Sequence, residues 1–224
     1  ATWPAWSVLA TEEEFGLPRH LQKVDHKYDY DWIADNGFAW MFKKLKCTEH
    51  AYDQKKPIYT PAMWEKLWET FRDSTLFPFP IPEPEESPDK PFHVDHTTDM
   101  KGRGNFASRN ITKGSLVHAG HPNTAFFLNA DSWFRFVTSL PKMMACDVME
   151  WAWQQDLTDT GNVVLCLNMD KAVFFNDGGW NSQINMEMKT KSSLDFYASR
   201  DIEEGEELLY DYDHFVFDTA EMDL

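Results

Sequence analysis

The chain has 224 residues, of which 42% are hydrophobic and 26% charged, a composition typical of a globular protein with one domain or one domain and a smaller second one. Its formal net charge of −16 argues against a nucleic-acid partner, because binding to a phosphate backbone depends on cationic side chains. No apolar stretch reaches the ~18 residues of a transmembrane helix, so no membrane partner is expected. The acidity favours a cationic partner such as a Lys-rich peptide; the alternative is that it only keeps the protein soluble.

The first 75 residues are predicted to form a mostly helical region. One helix is expected over about 29–45. A second is marked by Thr60 as N-cap and by Pro61 at the first helical position. Apolar residues then recur at three- and four-residue spacing, as on one face of a helix. They are Met63, Trp64, Leu67, Trp68 and Phe71.

Residues 76–91 (LFPFPIPEPEESPDKP) contain six prolines and four acidic residues. Proline removes a backbone donor and fixes φ, so neither a helix nor a central strand can form here. We therefore predict an extended linker at 76–91 and a domain boundary within it.

The remaining chain is predicted to be a β-rich α+β domain over 92–217, followed by an acidic tail at 218–224. Short strands are expected at 93–95, 115–118, 194–198 and 207–210. An apolar β-type stretch covers 161–175, with a turn near 168–170. A helical insert is expected at about 130–155.

The three cysteines, Cys47, Cys146 and Cys166, contain no Cys-x-x-Cys pair, so a zinc cluster is not expected. Their odd, sparse number predicts reduced structural thiols in a reducing compartment. A second set of metal-type side chains, at His93, Asp95, His96 and Asp99, is interpreted as an exposed strand. The alternative is a metal site, which would require a bend and a further ligand from elsewhere.

Three segments have patterns that suit a binding site. Gly102 and Gly104 allow a backbone to approach a ligand closely. At 174–181 (FFNDGGWN) an apolar strand runs directly into a polar loop. At 200–212 a turn closed by Gly205 leads into a strand that ends in Tyr210 and Tyr212, which two-residue periodicity places on one face.

In this order the three segments resemble motifs of the SET-domain protein lysine methyltransferases. Residues 101–114 (KGRGNFASRNITKG) are similar to the family's opening motif, 174–181 to its Asn-His-Ser-Cys loop, and 198–212 (ASRDIEEGEELLYDY) to its closing motif. The resemblance covers about 92–217. It implies a fold of small curved sheets in which the loop at Asn176 passes the Tyr212 segment in a knot-like crossing.

The resemblance also implies a chemistry. The cofactor would be S-adenosylmethionine, held by the backbone of Gly102, Arg103 and Gly104 and by Asn176 and Asp177. Phe215 would cover the adenine.

Tyr212 matches the family's catalytic tyrosine, and Tyr210 matches the position that limits how many methyl groups are added. The substrate would be a Lys-containing basic peptide or protein, such as a histone tail, in the nucleus or cytoplasm.

Three departures from the family pattern leave an alternative open. The family's His is Asp177 here, its Ser-Cys pair is Gly178-Gly179, and its closing Pro-Asn has only Asn181-Ser182 as the nearest equivalent. The alternative function is a binding module with the SET fold that has lost catalysis through this altered 176–181 loop.

Overall fold

The computed structural model describes residues 38–48, 56–74, 90–98, 101–120, 123–127, 130–156, 163–179, 183–189 and 194–214. Within these ranges, none of the helices combines the length and the apolar character that crossing a membrane requires. Nearly all of the predicted linker, except residues 90 and 91, lies outside them, so the domain boundary at 76–91 stays a prediction.

The described residues contain four α-helices: α1 (Phe38–Lys44), α2 (Pro61–Ser74), α3 (Ala130–Thr138) and α4 (Lys142–Trp151). Helix α2 begins as predicted, because the amides of Met63 and Trp64 both donate to the carbonyl of Thr60. The predicted insert at 130–155 is two helices rather than one, and its prediction as helical is wrong from Trp153 onward, where a strand begins. Pro141, which has no N–H to donate, lies between the two helices and caps α4.

The ten strands in the described residues are short: β1 (Phe92–His96), β2 (Arg103–Ala107), β3 (Leu116–His118), β4 (Thr124–Phe127), β5 (Trp153–Asp156), β6 (Val163–Asn168), β7 (Asn176–Asp177), β8 (Met186–Met188), β9 (Phe196–Ala198) and β10 (Leu209–Tyr210). They pair as β1-β2, β3-β9-β8, β4-β6-β5 and β10-β7. The first three sheets are antiparallel, whereas β7 and β10 run parallel. This architecture confirms the predicted α+β fold with small sheets and a helical insert.

The predicted β-type stretch over 161–175 is only partly a strand. β6 ends at Asn168, and residues Lys171–Phe174 form a 3-10 helix. Asp170 caps this helix, since its carboxylate accepts a hydrogen bond from the amide of Ala172. The cap explains why apolar residues after Asp170 leave the sheet.

Two groups of buried residues make up most of the interior. The helical core joins α1 and α2 to α3, α4, β4 and β6, and its fully buried members include Met41, Leu67, Trp133, Phe136 and Met144. The site core is built from strand and turn residues; its members include Phe92, Val117, Phe175, Phe196 and Tyr210. Helices on both sides of the predicted linker therefore share one core.

The prediction of three reduced thiols is wrong for two of them. Cys47, which follows α1, forms a disulfide with Cys146 in α4, across 99 residues of sequence. Packing of α1 against α4 brings these residues together, which spacing along the chain does not reveal. Cys166 is a buried thiol outside the disulfide, and its burial raises its pKa well above the usual range.

Candidate functional site

Side chains from all three predicted motifs meet at Gly104. The Asn176 amide nitrogen donates to the carbonyl of Arg103, at 2.9 Å, and to Oε1 of Glu207, at 2.8 Å. A Cβ built on Gly104 would lie 2.7 Å from that Oε1 and 3.1 Å from the Asn176 Nδ2. Gly104 is itself buried, and its lack of a side chain is what lets Glu207 and Asn176 pack directly against its backbone; we call this group of residues the Gly104 cradle.

The loop that leads into the cradle has its own glycine requirement. Gly102 has a φ of +84°, which L side chains rarely adopt, and its carbonyl accepts a hydrogen bond from the amide of Thr97. Lys101 lies at the rim of the cradle, with Nζ 3.6 Å from Oε2 of Glu207.

Arg103 contributes its backbone to the cradle but not its side chain. The carbonyl of Arg103 bonds Asn176, whereas its guanidinium is buried and pairs with Asp147 at 3.0 Å. The implied cofactor role of Arg103 can therefore concern only its main chain.

The segment after Asn176 lies beside the C-terminal motif. In the parallel pairing of β7 with β10, Asn176 lies opposite Leu209 and Asp177 opposite Tyr210. The amide of Gly178 extends this pairing by donating to the carbonyl of Tyr210. A Cβ on Gly178 would meet the Leu209 Cβ at 2.8 Å, so a glycine here permits the close approach.

Tyr212 is fixed at this crossing through its hydroxyl. The residue as a whole is 36% exposed, but its hydroxyl is turned inward and donates to the carbonyl of Phe175 at 2.6 Å. Desolvation of the hydroxyl, together with the carboxylates of Asp177 and Glu207, raises the pKa of Tyr212 well above its usual range. The phenol is thus neutral at physiological pH and acts as a hydrogen-bond donor.

The prediction that Tyr210 and Tyr212 share one face of a strand is wrong. Strand β10 ends at Tyr210, and Tyr212 begins a 3-10 helix over Tyr212–His214. Tyr210 is buried in the site core, where its ring packs edge-on against Phe196 at a centroid distance of 4.9 Å. Burial also raises the pKa of Tyr210, so both phenols remain neutral.

Two residues of this site were missed in the sequence. Glu207 supplies the carboxylate of the cradle, and Asn185 is 1% exposed and holds the segment that carries Glu207. The Asn185 side chain donates to the carbonyl of Glu207 and accepts from the amide of Leu209. The sequence carries no local signal for Asn185, because Asn185 occupies a polar position in the alternating stretch 184–189 (INMEMK), a pattern that predicts an exposed side chain.

The remaining predicted site residues lie apart from the cradle or outside the described part of the chain. His93, Asp95 and His96 are exposed on β1, as expected for a surface strand. In the described ranges no group of three His, Cys, Asp or Glu side chains could hold a metal ion. Asp99 and Phe215 lie outside the described residues.

Comparison with known proteins decides the family. A model of the SET domain matches residues 102–213, which is half of the chain and lies within the predicted 92–217. The chain belongs to the SET-domain family. This match confirms the family predicted from the three motifs.

Solved structures similar to this SET domain include methyltransferases. A Plasmodium falciparum protein described as a candidate histone methyltransferase is 17% identical, with a TM-score of 0.36; the match covers 55% of this chain and 94% of that one. The Chaetomium thermophilum Polycomb Repressive Complex 2 bound to GSK126 is 19% identical, with a TM-score of 0.36 and coverage of 57% and 16%. A structure of ctPRC2 in an autoinhibited conformation bound to S-adenosylmethionine is 18% identical, with a TM-score of 0.38 and coverage of 59% and 16%.

The match thus spans about a sixth of the chains from these two complexes. No curated protein sequence matches this SET-domain chain.

Proposed function

We propose that this SET-domain protein transfers a methyl group from S-adenosylmethionine to a lysine side chain of a protein substrate. The observation that carries the proposal is the position of Asn176. Its amide joins the Arg103 carbonyl of the first motif to the Glu207 carboxylate of the third. Residues implied by the family resemblance therefore converge on one small surface.

The Gly104 cradle has the chemistry that the amino-acid end of this cofactor needs. That end carries an ammonium and a carboxylate, and the cradle offers both partners. The Glu207 carboxylate and the Arg103 carbonyl can accept from an ammonium, and the Lys101 ammonium at the rim can pair with a carboxylate. When bound, the cofactor would supply a methyl group activated on a positively charged sulfur.

Asp177 is proposed to contact the cofactor through its backbone, next to Asn176. Its carboxylate is already engaged, since Oδ1 accepts from the amide of Gly179 at 3.0 Å and from that of Tyr212 at 3.4 Å. An Asp can therefore replace the family's His as a structural residue of the loop. The role of Phe215 at the adenine stays a prediction.

The substrate amine must reach the site without its proton. A free lysine has a pKa of about 10.4, so the neutral form costs about 4 kcal/mol at pH ~7.4. Low-dielectric surroundings lower this cost by disfavouring the ammonium. Tyr212 is unsuited to act as the base, because its neutral hydroxyl already donates to Phe175. We propose instead that Tyr212 aligns the amine and that the proton leaves to solvent.

The proposed substrate is a basic peptide segment, of which a histone tail is one example. Acidic side chains lie near Tyr212: Asp177 and Asp211 are partly exposed and Asp213 is exposed. With the net charge of −16, they would attract a cationic peptide before it binds. The proposed compartment is one where such proteins occur, the nucleus or the cytoplasm.

Titration of the purified protein with S-adenosylmethionine tests this function, with Gly104→Ala as the informative variant. A methyl group at 104 would clash with Glu207 and Thr97 and displace the groups of the cradle, so we expect affinity for S-adenosylmethionine to fall about tenfold or more, the equivalent of roughly 1–3 kcal/mol. Gly114→Ala is the control for a methyl group added elsewhere in the first motif. Gly114, unlike Gly104, has a positive φ, of +81°, so the change strains the backbone, but no atoms lie within 4 Å of a Cβ there. Gly114→Ala should lose some stability and bind S-adenosylmethionine like wild type.

The two candidate functions give different results in this titration. A methyltransferase binds the cofactor and then methylates a Lys-rich peptide pool, which mass spectrometry detects. A binding module that has lost catalysis yields no methylated peptide. Absence of cofactor binding in the folded wild-type protein would overturn the proposal.

A further inference from the structure

The guanidinium of Arg103 lies in an aromatic enclosure behind the Gly104 cradle. Its carbon is 4.7 Å from the ring centre of Phe174, 5.2 Å from that of Trp151 and 5.7 Å from that of Tyr59. These distances allow cation–π attraction, which is strongest where water is excluded, and the Arg103 side chain is only 6% exposed. The enclosure combines residues from before α2, from α4 and from the 3-10 helix before Asn176.

Asp147 of α4 is the centre of a balanced ion network around this guanidinium. It is 0% exposed, and its two oxygens accept separately: Oδ2 from Arg103 at 3.0 Å and Oδ1 from Lys56 at 2.8 Å. Lys56 also pairs with Glu150 at 3.0 Å, so two cations face two anions. A buried carboxylate is tolerated only when its partners are in place, so the network fixes the positions of all four side chains.

The network also holds the segment that precedes α2. The Arg103 guanidinium donates to the carbonyl of Pro57 at 3.0 Å. The carbonyl of Lys56 lies 3.1 Å from Nε2 of His96, at the end of β1. Residues 56–59 are thus fastened to α4 on one side and to the β1-β2 hairpin on the other.

Arg103 connects this network to the cradle within a single residue. Its side chain is held by Asp147, and its carbonyl accepts the Asn176 amide that defines the cradle. Because glycines flank it at 102 and 104, the neighbouring backbone has unusual conformational freedom. The side chain of Arg103 is therefore the anchor that can restrict this freedom.

We propose that Asp147 is a positioning residue: by holding the Arg103 guanidinium, it fixes the backbone of 102–104 in the conformation that binds the cofactor. This inference rests on the proposed function. By this inference, residues 56–59 and helix α4 affect the affinity for the cofactor, although neither contributes a residue to the cradle.

The test compares Asp147→Asn with Val148→Ala. The Asn side chain has the same shape but leaves Arg103 and Lys56 without the carboxylate. Val148 is 0% exposed in the same helix and contacts the helical core, so its truncation destabilises the fold without touching Arg103. For each protein, affinity for S-adenosylmethionine is measured by calorimetry, and hydrogen exchange is followed at the amides of 101–107.

We expect Asp147→Asn to bind the cofactor about tenfold more weakly and to exchange the amides of 101–107 faster, because a small displacement of a positioned backbone has large effects at a binding site. Val148→Ala should lower the melting temperature while both quantities stay as in wild type. If Asp147→Asn matches wild type in affinity and exchange, the inference is overturned, whatever its stability.

A second variant keeps the test decisive if Asp147→Asn does not fold. Arg103→Lys preserves the charge but removes the planar fork that stacks on the rings and reaches both Pro57 and Asp147. It should show the same tenfold loss, and wild-type affinity in this variant would contradict the inference. If the wild-type protein itself binds no cofactor, the proposed function has failed instead.

Discussion

The helical core and the segments around the Gly104 cradle are held together by different interactions. In the helical core, large rings are buried and pack edge-to-face, as Phe127 does against Phe71 at 5.1 Å and Trp133 at 4.9 Å. Beside the cradle, the two-residue strands β7 and β10 and the segments next to them are held by side-chain hydrogen bonds of Asn176, Asn185 and Tyr212. Burial of apolar area is additive and tolerant, whereas each of these hydrogen bonds has one geometry.

Because of this difference, substitutions in the two regions should have different effects, on stability in one and on function in the other. Damage to the helical core should lower global stability with little selectivity. Damage to the bonds at β7 and β10 should change binding or turnover while the protein stays folded. The predictions below test this separation, from the largest expected effect to the smallest.

Removal of the disulfide should have the largest effect of all, and this effect should be on stability alone. Cys47→Ala prevents closure of a loop whose ends lie 99 residues apart. By the chain-entropy argument for a loop of this length, the free energy of unfolding should fall by about 4–5 kcal/mol. Urea denaturation of the oxidised protein, with and without reductant, measures the change.

Cys166→Ala is the matched control, because it removes the cysteine that lies outside the disulfide and leaves the disulfide in place. Wild type and Cys166→Ala should both lose stability on reduction, and Cys47→Ala should not respond. Equal stability of wild type in oxidised and reduced form would show that the disulfide does not constrain the fold.

Asn176→Ala should have the next largest effect, and it should fall on the cofactor. The substitution leaves the Glu207 carboxylate and the Arg103 carbonyl without their shared donor. A lost hydrogen bond to a charged group is worth about 1.5–3 kcal/mol, or roughly ten- to a hundredfold in affinity. Calorimetric titration with S-adenosylmethionine gives the value, and circular dichroism establishes that the variant is folded. Unchanged affinity in the folded variant would remove Asn176 from the site.

The same comparison explains what could be predicted from the sequence. The start of α2 is encoded locally by Thr60 and Pro61, and the three motifs are contiguous, so both were found. Two other features depend on how distant parts of the chain pack together. They are the disulfide between Cys47 and Cys146 and the buried ion pair between Arg103 and Asp147. Glycines at 102 and 104 marked the cradle, but nothing adjacent to them in sequence indicated that Glu207 would supply its carboxylate.

The two tyrosines show where local periodicity fails. Spacing of two residues predicts one face only while the strand continues, and β10 ends at Tyr210. The amide of Tyr212 donates instead to the Asp177 carboxylate, and its chain turns into a 3-10 helix. Tyr210 and Tyr212 therefore lie in different environments, Tyr210 in the core and Tyr212 at the surface. Their proposed roles can be tested separately.

Tyr212→Phe and Tyr210→Phe should change the structure least of the substitutions proposed here, while each changes a specific step of the proposed function. Each removes one hydroxyl and keeps the ring, at a cost on the order of 1 kcal/mol of stability. Tyr212→Phe removes the hydroxyl that donates to the Phe175 carbonyl. The same hydroxyl is proposed to align the substrate amine, so the variant should lose that alignment. We expect most turnover to disappear while calorimetry shows cofactor affinity close to wild type. Full activity of Tyr212→Phe would contradict the alignment role.

Tyr210→Phe should change the product rather than the rate. Its ring remains packed against Phe196, so the site core is preserved. The family resemblance assigns the Tyr210 hydroxyl to holding a water in space that a methylated amine would need. We therefore expect mono- or dimethyl-lysine from wild type and a shift of about fivefold toward higher methylation in the variant, since one hydrogen bond is worth on the order of 1 kcal/mol. Mass spectrometry of a methylated peptide pool measures the ratio, and trimethyl-lysine as the main wild-type product would exclude this role for Tyr210.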